Sequence, residues 1–176
     1  MKKLILVRHS EPKIELGIPA NRWSLSARGM DRCIGLARRL AAHGPDILLS
    51  STEPKARETP EIAADRLGIP VSVVEGLHEH ERKSVPYVSA QEFRNAVEGL
   101  FARPDELVYG EETADQARER FGVAVSSVLE DHQETNIAVV GHGTVISLFA
   151  GTVAGIDALA LWERIGMPSC IVLSRP

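Results

Sequence analysis

The 176-residue sequence holds only two cysteines, Cys33 and Cys170. The first sits in an amphipathic helical pattern and the second in an apolar run, so both are expected as buried, reduced thiols rather than a disulfide framework. Long apolar runs are missing as well. The stretch after Lys2-Lys3 is Leu4 to Val7, cut off by Arg8; that is short for a signal-peptide core, and no other run approaches transmembrane length. Nor is there an excess of basic charge. With a net charge of -4, a pI near 5.9 and dispersed basic residues, neither nucleic acid nor an anionic membrane surface is expected as a partner. Internal repeats, low-complexity runs and linkers are also lacking. The expectation is one cytoplasmic domain over residues 1–176, long enough to bury about 70% of its unfolded surface. A small anionic substrate stays compatible with this, because charge in a pocket can oppose the net charge. Oligomeric state is not legible.

What the chain does have is a run of design repeated twice. Leu4-Ile5-Leu6-Val7 reads as a strand buried on both faces, and it stops at Arg8-His9, followed by the turn formers Ser10-Glu11-Pro12. Ile137-Ala138-Val139-Val140 reads the same way and ends at Gly141-His142-Gly143. The flanking glycines let backbone N–H groups approach a ligand closely. In an open α/β sheet the carboxyl edge of the strands is the ligand-binding edge. Two histidines are therefore aimed at one edge.

Between and around these strands the pattern alternates. A helix over Ser26 to His43 presents Met30, Cys33, Ala37, Leu40 and Ala41 on one face and ends at Gly44-Pro45. Ile47-Leu48-Leu49 is a second strand, and a helical segment from Glu53 to Leu67 follows, stopped by Gly68. Pro60 cannot donate to the carbonyl of Ala56, which predicts a kink or a restart there with Thr59 as a local cap. Val71 to Val74 is a third strand. Ser89-Ala90-Gln91-Glu92 and Thr113-Ala114-Asp115-Gln116 have the form of capping boxes opening two helices. A mainly apolar helix over Val145 to Ala154 and a strand over Cys170 to Leu173 close the chain. Strands alternating with helices predict a sheet covered on both faces, with residues 76–112 as an excursion from it.

Leu6-Val7-Arg8-His9, Leu25-Ser26-x-x-Gly29, Ser50-Ser51 with Lys55-Ala56-x-Glu58-Thr59, Leu77-x-Glu79 and Gly141-His142-Gly143 together resemble the histidine phosphatase superfamily. The resemblance implies the phosphoglycerate mutase-like fold, a three-layer α/β/α sandwich with a mostly parallel central sheet, and a phosphatase that hydrolyses a small phosphate monoester through a phosphohistidine, without metal or cofactor. His9 matches the family's nucleophile, which must be neutral to attack phosphorus. Arg8 would hold phosphate oxygens, and His142 would face the same group and stabilise its charge when protonated. Gly143 would let the following helix start donate, and Ser10, next to the nucleophile, is a further phosphate-binding candidate. Glu79 matches the acid that protonates the leaving alkoxide, kept partly protonated by nearby phosphate, with Glu81 as a rival.

The chain departs from the family pattern in having Lys55 where an arginine is usual, with Arg57 two residues on; either could supply the second phosphate cation. Ser10 replaces a glycine and Pro12 a Thr or Ser. Three alternatives follow. A mutase would need to keep water from the phosphohistidine, which the modest excursion disfavours. A metal-dependent hydrolase could use His78-x-His80 with His9 or His142, although the zinc-signature spacing is lacking. A phosphate-ester-binding protein could keep the fold without turnover. His43 and His132 are expected at helix ends on the surface, Trp23 at the pocket mouth or in the core, and Arg82, Lys83 and Arg94 on a solvated face, the alternative being that they meet a second anionic group of the substrate.

Overall fold

The computed structural model describes residues 2–133 and 135–175. Among them five strands form one sheet in the order β3-β2-β4-β1-β5. These are β1 (Lys3–Arg8), β2 (Ile47–Ser50), β3 (Val71–Val73), β4 (Ile137–Gly141) and β5 (Ser169–Ser174). The pairings β1·β4, β2·β4 and β2·β3 are parallel, while β5 runs antiparallel to β1. The register sets Arg8 beside Gly141 and Ser50 beside Val140. The residues that follow these strands, His9, Ser51 and His142, consequently leave the sheet at one edge.

Period-two alternation in the central strands sends side chains to two separate cores. Ile5, Val7, Leu48, Ala138 and Val140 meet Leu36 and Leu40 of α1 (Ala27–Ala41) and Ala63 of α2 (Pro54–Leu67). On the other face Leu4, Leu6, Ile137 and Val139 meet α4 (Ala114–Asp131) and α5 (Gly143–Ala154) through Phe121, Val125 and Ile146. The helices α3 (Ala90–Ala102) and α6 (Ala158–Arg164) lie on that second side. This is the expected α/β/α sandwich with a mostly parallel sheet.

Local signals are realised in detail at several helix starts. Ser26 caps α1 through Gly29 N, and both capping boxes form, Ser89 with Glu92 and Thr113 with Gln116. Three expectations are corrected. The buried face of α1 is Gly29, Cys33, Leu36, Ala37 and Leu40, with Met30 44% exposed. The helix α2 runs through Pro60 without a restart, and Thr59 is no cap: its hydroxyl donates to the Lys55 carbonyl at 2.7 Å and accepts from Ser10 N at 3.0 Å. One element carried no expectation: α6, a seven-residue helix after the Gly155 stop of α5, whose short pattern carries little periodic signal.

Candidate active site

His9 leaves β1 buried, 6% exposed, with its backbone N–H held by Gly141 O at 3.0 Å. Its Nδ1 lies 2.6 Å from the carbonyl of Ser10. A carbonyl can only accept, so Nδ1 carries the hydrogen and the neutral ring keeps its lone pair on Nε2. Burial, then the neighbouring His142 and Lys55, push the His9 pKa well below its ordinary value, outweighing the Ser10 hydrogen bond. The ring is therefore neutral at pH 7 and presents a nucleophilic nitrogen.

Ser10 serves this arrangement from behind. Its hydroxyl donates to Gly29 O at 2.7 Å and its N–H to Thr59. The expectation that the Ser10 side chain binds phosphate is thus corrected: its hydroxyl is committed to α1, and its carbonyl sets the tautomer of His9. Gly29 is required here, because a Cβ would lie 2.1 Å from the Glu11 carbonyl oxygen.

His142 is fully buried, its ring 5.1 Å from that of His9 in an edge arrangement. Its Nε2 is 2.9 Å from Ser51 Oγ and 3.7 Å from Glu53 Oε1, and its Nδ1 is buried without a hydrogen-bond partner. Burial and then Lys55 lower its pKa well below the ordinary value, against the opposing pull of Glu79. At rest the ring is therefore neutral. A dianion arriving beside the ring would favour protonation.

Arg8 closes the site from the end of β1. Its Nη1 donates to Ile165 O at 2.6 Å, while Nε is buried without a partner. The guanidinium lies across Gly143, where a Cβ would come within 3.1 Å of it. Glycine after His142 is thus explained first by the arginine. The helix start it opens is also taken: the N–H groups of Thr144 and Val145 donate to Glu79 at 3.3 Å each.

Glu79 is therefore bound to the positive end of α5. Burial works to raise its pKa, but Arg82, His142 and the backbone N–H groups of His80 and Thr144 outweigh it and hold the carboxyl far below the ordinary range. At rest Glu79 is therefore a carboxylate, and the expected partial protonation belongs to the site with phosphate beside it. Its rival Glu81 pairs with Lys83 at 2.9 Å and His78 at 3.5 Å, with a third of its side chain exposed.

Of the two candidate phosphate cations only Lys55 lies in the site. Its ammonium is 2.5 Å from Glu53 and donates to Ala20 O at 2.7 Å. Arg57 is corrected: an uninterrupted α2 turns it outward, where it is exposed and 4.0 Å from Glu61. His80 Nε2 meets Glu112 O at 2.7 Å, and among the described residues no group of three or more His, Cys, Asp or Glu side chains could hold a metal. His43 and His132 follow helix ends as expected, and Trp23 lines the cavity.

Three further side chains meet the site. Glu53 sits among the charges of a helix start, yet it is buried and ties together Lys55, His142 and the Glu79 N–H, which it accepts at 3.0 Å. Arg82 was expected in solvent, but its guanidinium stands 4.9 Å over Phe93 and 4.0 Å from Glu79. Arg120 lies on the polar side of α4 and donates to the carbonyls of Gly76, His78 and Glu79 at 2.8, 2.9 and 3.2 Å, with Glu112 at 2.5 Å.

A model of the histidine phosphatase superfamily, branch 1, matches residues 4–174. A probable phosphoglycerate mutase, GpmB, of Salmonella paratyphi A is 25% identical over 183 residues, covering 98% of this chain and 83% of its own. Solved structures share the fold at lower identity. The Bacillus stearothermophilus protein YhfR superposes with a TM-score of 0.78 at 22% identity, over 99% of this chain and 91% of its own. A mutant phosphoserine phosphatase of Entamoeba histolytica in complex with phosphoserine gives 0.77 at 18%, over 98% and 90%. A mycobacterial glucosyl-3-phosphoglycerate phosphatase gives 0.73 at 20%, over 97% and 89%.

Proposed function

The chain belongs to the histidine phosphatase superfamily, branch 1, and on that premise we propose that it is a phosphatase hydrolysing phosphate monoesters through a phosphohistidine on His9. The observation that carries the reading is the 2.6 Å contact between His9 Nδ1 and the Ser10 carbonyl, which leaves Nε2 as the attacking atom. In the first step Nε2 bonds to phosphorus, the ester P–O bond breaks, and the leaving oxygen takes a proton. Glu79 is the proposed donor. Although ionised at rest, it faces a phosphate dianion once substrate binds, and that charge opposes its ionisation; binding then carries proton uptake. In the second step Glu79 takes a proton from water as the water oxygen bonds to phosphorus and the P–Nε2 bond breaks, which frees His9 and releases inorganic phosphate.

Arg8, Lys55 and His142 are proposed to hold the phosphoryl oxygens. The buried, unpartnered Nε of Arg8 and Nδ1 of His142 are donors for which phosphate oxygens would be partners, at about 1.5–3 kcal/mol for each charge-assisted bond. Ser51 keeps the His142 ring oriented.

A mutase reading draws on the Salmonella relatives, named as probable phosphoglycerate mutases. The two readings differ only in the acceptor of the phosphoryl group. A cavity of about 1090 Å³ outside His9 gives water room beside the intermediate and favours hydrolysis. The test is rapid quenching during turnover of a ³²P-labelled alkyl phosphate. We expect an alkali-stable, acid-labile phosphoenzyme, absent in His9→Ala, whose activity falls at least ~10³-fold. Turnover by His9→Ala at the wild-type rate sinks the proposal. Transfer of the label to 3-phosphoglycerate in preference to water supports the mutase.

A further inference from the structure

The walls of the cavity outside His9 are unusual for this chain. The sequence contains four Phe, two Trp and two Tyr, and five of these eight, Trp23, Tyr87, Phe93, Tyr109 and Trp162, line the one cavity. The other three, Phe101, Phe121 and Phe149, pack in the core. Trp23 is fixed by its indole N–H, 3.1 Å from both Glu15 O and Ile18 O, and its ring stands 6.2 Å from Tyr87. Phe93 in turn contacts Trp162 at 5.9 Å and Tyr109 at 6.3 Å. At the rim, Ile14, Leu16 and Tyr87 stay 54%, 74% and 54% exposed. Large apolar groups left in water around a concavity mark a surface that binds something apolar.

The charges of the same cavity point away from a second anion. Beyond the phosphate end each cationic side chain already has a carboxylate. Lys83 is 2.9 Å from Glu81, Arg82 is 4.0 Å from Glu79, and Arg94 holds Glu98 at 2.9 Å as well as Glu163. Glu75 adds a further carboxylate to the lining. The Lys83 and Arg94 pairs are solvent-exposed and weak in themselves, but a substrate carboxylate or second phosphate approaching either cation would also meet the carboxylates of Glu81, Glu98 and Glu163 beside it. Volume argues the same way, since ~1000 Å³ is the upper end of pockets for drug-sized ligands, far above what a three-carbon phosphoester fills.

We infer that the site takes phosphate monoesters of a large, apolar or aromatic alcohol, and discriminates against small esters carrying a second anionic group. This rests on the phosphatase reading for turnover, but not for binding. The test compares esters that all leave as primary alkoxides: 2-(1-naphthyl)ethyl phosphate, glycerol 3-phosphate and phosphoserine. The naphthylethyl ester should exceed the other two at least ~30-fold in kcat/KM, and Tyr87→Ala, altering an exposed side chain, should raise its KM several-fold. The same esters are titrated calorimetrically into His9→Ala. If nothing turns over yet the naphthylethyl ester binds His9→Ala tightest, the phosphatase reading fails and the inference stands. Equal or tighter binding of phosphoserine overturns the inference, whatever the turnover.

Discussion

At the scale of residues, the site depends on two histidines held neutral by burial. Both His9 and His142 have folded pKa values pushed below that of the unfolded chain, about 6.5, chiefly by loss of solvent. Their contribution to stability is complete above pH 6.5 and is lost as pH falls toward the folded values, because the unfolded chain takes up protons first. His78 is shifted in the same direction, while the low pKa of Glu79 acts only below its unfolded value near 4.5. Thermal unfolding should therefore show a midpoint that drops between pH 7 and pH 5. His142→Asn should flatten that slope; an unchanged slope would remove the histidine as its source. Each unit of pKa displacement corresponds to about 1.4 kcal/mol.

Among elements, the loop between β3 and α3 carries the proposed acid, Glu79, and it has little regular structure of its own. Residues 76–79 are held instead by Arg120 of α4, whose guanidinium collects three loop carbonyls and the Glu112 carboxylate. Glu112 in turn accepts from Glu81 N at 2.9 Å, and Glu111 N donates to Glu81 O at 2.7 Å. Arg120 thus acts as a positioning residue for Glu79. Its loss should resemble loss of a proton donor rather than loss of phosphate binding. In Arg120→Met we expect kcat for an alkyl phosphate to fall about 10²-fold, within the range for general acid catalysis. For p-nitrophenyl phosphate, whose leaving group needs no proton, the fall should be a few-fold, with Arg120→Lys in between. A parallel loss on both substrates would leave Arg120 a scaffold role only.

For the whole molecule, the site's geometry rests on how the sheet is backed. Phe121 of α4 is fully buried, edge-on to Phe149 at 5.6 Å, and its ring comes within 3.3 Å of where a Cβ on Gly141 would be. It therefore supports the strand end that delivers His142. Phe121→Ala should cost about 3–5 kcal/mol, the range for large-to-small changes at a well-packed core position. Equilibrium urea unfolding measures it, and a loss under 1 kcal/mol would mean that the core closes over the gap. Since α4 carries both Phe121 and Arg120, one helix supports the histidine from below and the carboxylate loop from the side.

Much of this architecture is legible in the chain because it is local. Aliphatic runs ending in Arg8-His9 and Gly141-His142 specify buried parallel strands with polar ends, and the Ser89 and Thr113 boxes specify where helices begin, since strand period and cap chemistry act within a few residues. The short α6 and the phase of α1 were not legible in the same way, being settled by contacts with distant elements. The site divides similarly. Residue types and order identify His9, His142, Arg8 and Glu79 as candidates. Only tertiary structure turned Arg57 outward and the Ser10 hydroxyl toward α1, set Glu53 between Lys55 and His142, and brought Arg120 to the loop, some 40 residues away in the chain. The physical reason is that charge state and orientation in a buried site are fixed by desolvation and by partners remote in sequence, and neither is written in the residues that carry the chemistry.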